Sequence, residues 1–118
     1  MKFKFVVNEK IFYANMIEND ITKEIEKHLP FEATYTRYTE HEYYTKLTFP
    51  TTDKNCKKEY DAHKNEVWYF GGWNAFTVLF GDYNTFPFEV VKLGTFETDI
   101  SEEFSKEKST IKILCEKV

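Results

Sequence analysis

The chain has a single arginine, Arg37, and no glutamine. Its lysines are scattered, and the formal net charge is −4. No basic block is present to neutralise a run of phosphates, which disfavours nucleic acid as a partner. No apolar stretch approaches the roughly 20 residues that cross a bilayer. The hydrophobic run in the opening MKFKFVVNEK is short, and polar residues follow it at once, unlike a secretion signal. These absences lead to the expectation of a soluble, cytoplasmic protein without a membrane partner. Cysteine is equally scarce. Cys56 and Cys115 lie too far apart for a zinc motif, and in a cytoplasmic setting they read as two reduced thiols.

Aromatic residues, by contrast, are abundant. They make up 19% of a chain of 118 residues, so a few large side chains must fill one core of single-domain size (1–118). The richest stretch is EVWYFGGWNAFTVLFGDYNTFPFEVVKLG, residues 66–94, with both tryptophans. It reads as strands 66–70 and 73–80 joined by a tight turn at Gly71–Gly72, where glycine permits positive φ. Gly81–Asp82 opens another turn, FEVVKL (88–93) forms a further strand, and Gly94 marks a bend.

The rest of the chain alternates in the same way. KFKFVV (2–7) and IFYANM (11–16) have the period of half-buried strands, with a turn at Asn8–Lys10. A short helix follows at about 19–29, capped by Asn19 or Asp20. Ile17, Ile21, Ile25 and Leu29 form its apolar stripe, and Pro30 ends it. In FEATYTRY (31–38), Phe31, Ala33, Tyr35 and Arg37 share one face; Glu32, Thr34, Thr36 and Tyr38 share the other. Thr39–His41 turns the chain into EYYTKLTF (42–49). Residues 50–65 are polar and lysine-rich, a long surface loop read as mobile. In the charged segment 97–108, Ile100 and Phe104 are spaced for one helical turn lying on the barrel, and STIKILCEK (109–117) closes the chain as a strand. The expected fold is mainly β: a small barrel of about seven or eight strands with one short helix covering an end.

The order of motifs ENDITKEIEKHLP (18–30), EYYTKL (42–47), NEVWYFGGWNAFTVLFG (65–81) and FEVVKLG (88–94) resembles the bacterial cyclophilin-like family. The family's members are small single-domain barrels of cyclophilin architecture. The resemblance spans nearly the whole chain. One departure is Asn65–Glu66, where such proteins often carry Gly-Asp; it bears on the local turn. The resemblance implies a cyclophilin-like barrel with helical cover in the cytoplasm, and no settled activity.

Chemistry has few footholds. True cyclophilins set a guanidinium beside the proline nitrogen, within a signature of Arg followed by Phe-Met-x-Gln. This chain has neither glutamine nor a Phe-Met pair, so peptidyl-prolyl isomerase activity, weak or altered, is an alternative only. Arg37 is placed to stack on a tyrosine or to pair with Glu40 or Glu42. Near His41, strand alternation makes Glu40 and Glu42 converge while His41 points away, so no metal site is expected there or at Asp61-x-His63. The serines Ser101, Ser105 and Ser109 have no histidine nearby in sequence, and no phosphate-binding glycine loop opens a helix.

Binding remains. Trp68, Tyr69, Phe70, Trp73, Phe76, Tyr83 and Phe86 cannot all face one core. The expected function is a non-catalytic binding module for a small molecule or short peptide, with Tyr35, Arg37, Glu42, Tyr69, Trp73 and Tyr83 as the ligand-binding set. No catalytic residue, metal or cofactor is assigned. A further alternative is an interaction subunit, such as a homodimer, that buries Trp73 or Phe86 against its partner.

Overall fold

The computed structural model describes residues 1–106 and 109–118. Ten strands and two short helices appear in the order β1 (Lys2–Val7), β2 (Lys10–Met16), α1 (Asp20–Lys27), β3 (Phe31–Tyr38), β4 (Glu42–Lys46), β5 (Asp61–Ala62), β6 (Glu66–Phe70), β7 (Ala75–Leu79), β8 (Tyr83–Asn84), β9 (Val90–Phe96), α2 (Ser101–Ser105) and β10 (Thr110–Lys117). Eight strands close into an antiparallel barrel in the order β1-β10-β3-β4-β7-β6-β9-β2, while β5 and β8 pair as a separate ribbon. Closure leaves no free edge in the barrel.

The interior is filled by the inward half of each alternating strand. Phe3, Phe5, Tyr35, Tyr43, Val67, Phe76, Val78, Leu93 and Ile113 form one buried cluster, which Ile21 and Ile25 of α1 and Phe104 of α2 complete. The helices close opposite ends. Helix α1 leads through Pro30 into the start of β3. At the far end of β3, Arg37 Nη1 donates to the Ser105 carbonyl of α2 at 3.3 Å. Asn19 caps α1 reciprocally: its Oδ1 accepts from the Thr22 N–H, and Thr22 Oγ1 accepts from the Asn19 N–H, both at 2.9 Å. Ile17 precedes the helix and is exposed, so the apolar stripe is Ile21, Ile25 and the half-buried Leu29. The β1–β2 turn places Asn8 and Glu9 at φ 50° and 66°, the geometry of a two-residue hairpin. Ile100 and Phe104 are both buried, as one helical turn lying on the barrel requires; the last two residues of the charged segment 97–108 lie outside the described residues.

Two glycine assignments are corrected. The Gly71–Gly72 link is a turn of 3-10 helix, Gly71–Trp73, and no glycine there has positive φ. The left-handed residue is Asn74, at φ 48°, so β7 begins at Ala75 and Trp73 belongs to the turn. Gly94 does not bend the chain but lies within β9, facing a register shift between Val67 and Trp68. A Cβ there would stand 2.7 Å from the Asn15 carbonyl, so glycine permits the close approach of β2.

The 50–65 stretch is tied down at several points. Thr51 Oγ1 lies 2.6 Å from the Tyr69 hydroxyl, Glu59 and Val90 exchange backbone hydrogen bonds, and Asp61–Ala62 pairs with β8. The β5–β8 ribbon lies against the outside of the barrel. There Ala62 joins Trp68, Leu79 and Val90 in a second small core.

Candidate functional site

Strand alternation divides the aromatic residues. Tyr69 and Phe76 point into the barrel, Trp68 points outward and is buried under the ribbon, and Trp73, Phe86 and Phe88 are more than half exposed. On the outer face of β4 and β7, between the ribbon and the 3-10 turn, lies a groove of about 600 Å³. This is within the range of ligand pockets, roughly 300–1,000 Å³. Glu42, Tyr44 and Lys46 of β4 and Ala75 and Thr77 of β7 form its floor. Cross-strand pairing sets these side by side: Tyr44 opposite Thr77, and Lys46 opposite Ala75. Tyr38 and Tyr83 wall the Glu42 end, and Phe70, Trp73 and Phe88 the other.

The Glu42 end is the most unusual chemically. Glu42 is 4% exposed, and its Oε1 has no hydrogen-bond partner among the described residues. His41 Nε2 comes within 3.0 Å of that oxygen without hydrogen-bond geometry. Burial pushes the Glu42 carboxyl up to about 7 and holds His41 below its ordinary value. The His41 ring stacks on Tyr83 at 3.9 Å, and Tyr38 meets Tyr83 edge-on at 6.3 Å. Burial, then the nearby Tyr38 and Glu42, raise the Tyr83 phenol. Thr77 Oγ1 is also buried and without a partner among the described residues.

Of the six residues expected to bind ligand, the groove brings together Glu42, Trp73 and Tyr83. Tyr35, Arg37 and Tyr69 lie on the inner face instead. Tyr35 and Tyr69 belong to the main core, and burial raises the Tyr35 hydroxyl well above its ordinary value. The Tyr69 hydroxyl donates to Asn74 Oδ1 at 2.7 Å. Arg37 closes the barrel end: Nε donates to the Thr39 carbonyl at 2.9 Å, Nη2 pairs with Glu40 Oε2 at 2.6 Å, and the guanidinium lies 4.8 Å from the Phe80 ring centre. The physical reason is register. Tyr38 pairs with Glu42 and Arg37 with Tyr43, so Arg37 and Glu42 face opposite sides of the sheet.

The reading around His41 changes as well. Alternation does not hold through residues 39–41, which form a turn with Thr39 at φ 53°. Glu40 consequently swings out to solvent, while His41 meets Glu42. Among the described residues no three His, Cys, Asp or Glu side chains gather as metal ligands. Cys56 and Cys115 are free, and burial raises the Cys115 thiol. No helix of the described residues is long and apolar enough to cross a membrane.

Sequence reasoning missed Tyr38, Tyr44, Lys46, Phe70, Thr77 and Phe88. A signal existed for two of them. Tyr38 and Glu42 flank a three-residue turn, and their alternation partners in the hairpin place Tyr44 on the same face. No local signal marks Thr77, because β4 and β7 meet across 28 intervening residues (47–74).

A closed eight-stranded antiparallel barrel with a helix at each end, and an open aromatic groove on its outer sheet, defines the class as a cyclophilin-type barrel. The chain belongs to the Cyclophilin-like family, whose model matches residues 5–116. A search of the curated proteins returned no match.

Proposed function

We propose that the protein is a non-catalytic, cytoplasmic binding module that holds a small molecule in the outer groove. The observation that carries this reading is the pairing of aromatic walls with two buried polar atoms, Glu42 Oε1 and Thr77 Oγ1, that accept or donate no hydrogen bond among the described residues. Apolar walls with a few fixed polar groups are what small-molecule sites require. Arg37, the one guanidinium, engages Thr39, Glu40 and Ser105 at the barrel end. The groove therefore has no guanidinium to offer a proline nitrogen, which weighs against an isomerase.

A thermal-shift screen over metabolites and short peptides tests the reading, since binding to the native state raises Tm. A groove ligand raises the Tm of the native protein by several degrees, and Trp73→Ala loses most of that rise. A ligand whose effect survives Trp73→Ala and Tyr44→Ala would contradict the reading.

The exposed rings favour a second reading as an interaction subunit. Trp73 and Phe88 meet at 5.8 Å and Tyr60 and Phe86 at 5.3 Å, forming an aromatic rim. A homodimer through this rim would appear in sedimentation and dissociate on Phe86→Ser; a monomer at high concentration would remove that reading.

A further inference from the structure

Glu42 begins β4 with its carboxyl at one end of the groove floor, and its neighbours come from four segments. Beside it on its own segment is His41. Tyr38 of β3 and Leu79 of β7 stand directly across, and Tyr83 of β8 lies over His41. Thr77 is its diagonal neighbour on β7. Among the described residues no lysine or arginine pairs with this carboxyl; its one ionic neighbour is His41. Lys46 shares the groove but sits four residues further along the strand, roughly 13 Å away at 3.3 Å per residue.

A buried carboxylate without a cation is costly, and a partner that brings positive charge recovers that cost. Charge-assisted hydrogen bonds to a carboxylate are about twice as strong as neutral ones. Next to Glu42 on the floor is the half-exposed ring of Tyr44, and Trp73 stands over the far wall. Both offer aromatic faces to a cation or to a flat apolar body. Lys46 at the opposite end repels a second positive charge.

The geometry points to a monocationic organic amine as the ligand of the groove, its protonated nitrogen on Glu42 beside Thr77 and its apolar body along Tyr44, Phe70 and Trp73. This inference rests on the reading of the groove as the binding site. It adds the charge and orientation of the ligand. The same nitrogen could be carried by a small amine or by a lysine side chain of a peptide.

The test compares 2-phenylethylamine with its neutral and acidic counterparts, 2-phenylethanol and 3-phenylpropionate, by tryptophan fluorescence and thermal shift at pH 8. A capped peptide with one lysine is run beside them. The amine or the lysine peptide is expected to bind at least about tenfold tighter than the alcohol, as one added charge-assisted contact provides. Whichever of the two is tighter identifies the source of the nitrogen. Glu42→Gln abolishes the preference. A second measurement needs no variant: because Glu42 titrates near 7, amine affinity of the native protein falls about tenfold from pH 8 to pH 6, while that of the alcohol does not. Equal binding of amine and alcohol in the groove would overturn the inference and leave the binding-site reading standing. Binding of all probes unaffected by Trp73→Ala would overturn both.

Discussion

A single carboxyl, Glu42, carries the main energetic cost of the site. Its folded value of about 7 lies above the ordinary 4.5, so the folded state binds more protons than the unfolded state between those limits. Stability from this group is complete below the unfolded value and is lost as pH rises through the folded one. The full loss is of the order of 3 kcal/mol from a shift of this size. Glu42→Gln removes the titration. The variant is expected to be more stable than the native protein at pH 8, with the advantage shrinking steadily towards pH 5. His41, held low by burial, acts in the opposite sense below about 6.5, and comparing the two proteins cancels that contribution to first order. Urea denaturation at both pH values measures it. An advantage that does not change with pH would mean that Glu42 is ionised throughout. In the sequence Glu42 reads as a ligand contact, because a carboxylate among aromatics suits a polar ligand. Its burial could not be read there. It depends on His41 turning toward it through the 39–41 turn, and on Tyr83 arriving from a distant segment.

At the scale of elements, the 3-10 turn that ends β6 shapes the groove. Asn74 holds the left-handed position, and its side chain joins three segments. Nδ2 donates to the Phe49 carbonyl at 2.8 Å, and Oδ1 accepts from Tyr69, with the Thr51 hydroxyl 2.9 Å away. Asn74→Ala loses both the backbone fit and these bonds and is expected to cost about 2–4 kcal/mol. Asn74→Gly keeps the backbone and should recover about 1 kcal/mol of that loss. Equal losses in thermal or urea unfolding would place the whole effect in the side chain.

The same turn marks a limit of local reading. Two glycines in sequence pointed to positive φ, but asparagine also tolerates that region, and its side-chain bonds selected it. Asn65 behaves alike: at φ 70° its Oδ1 accepts from the Ile100 N–H. Beside it Glu66 Oε1 accepts from the His63 N–H and the Trp68 indole, and its other oxygen pairs with Lys92 at 2.9 Å. The Asn65–Glu66 departure is thus a working anchor for the ribbon. Helix α1 and strands β1 to β3 were legible because their periodicity and caps are local. The β5–β8 ribbon was not, because two residues per strand leave no period to read.

The whole molecule is two layers on one barrel. The closed sheet supplies a rigid outer face, and the ribbon and 3-10 turn convert part of that face into a groove. The class of fold followed from strand alternation, aromatic content and the order of motifs. The groove did not, because it joins β3, β4, β7 and β8 through pairings separated by tens of residues. The inner and outer sets of a strand can be listed from sequence, but choosing which set faces the core needs the register. Without that register, sequence alone cannot separate Tyr35, Arg37 and Tyr69 from residues on the opposite side of the sheet.

In the proposed function the ligand enters the outer groove, not the barrel interior or its ends. Amide chemical-shift mapping of the native protein with 2-phenylethylamine tests this most directly. Perturbations are expected at residues 38–46, 70–77 and 83–88 and nowhere else. Perturbations centred on Tyr35, Arg37 and α2, with residues 42–46 and 70–77 unmoved, would contradict it.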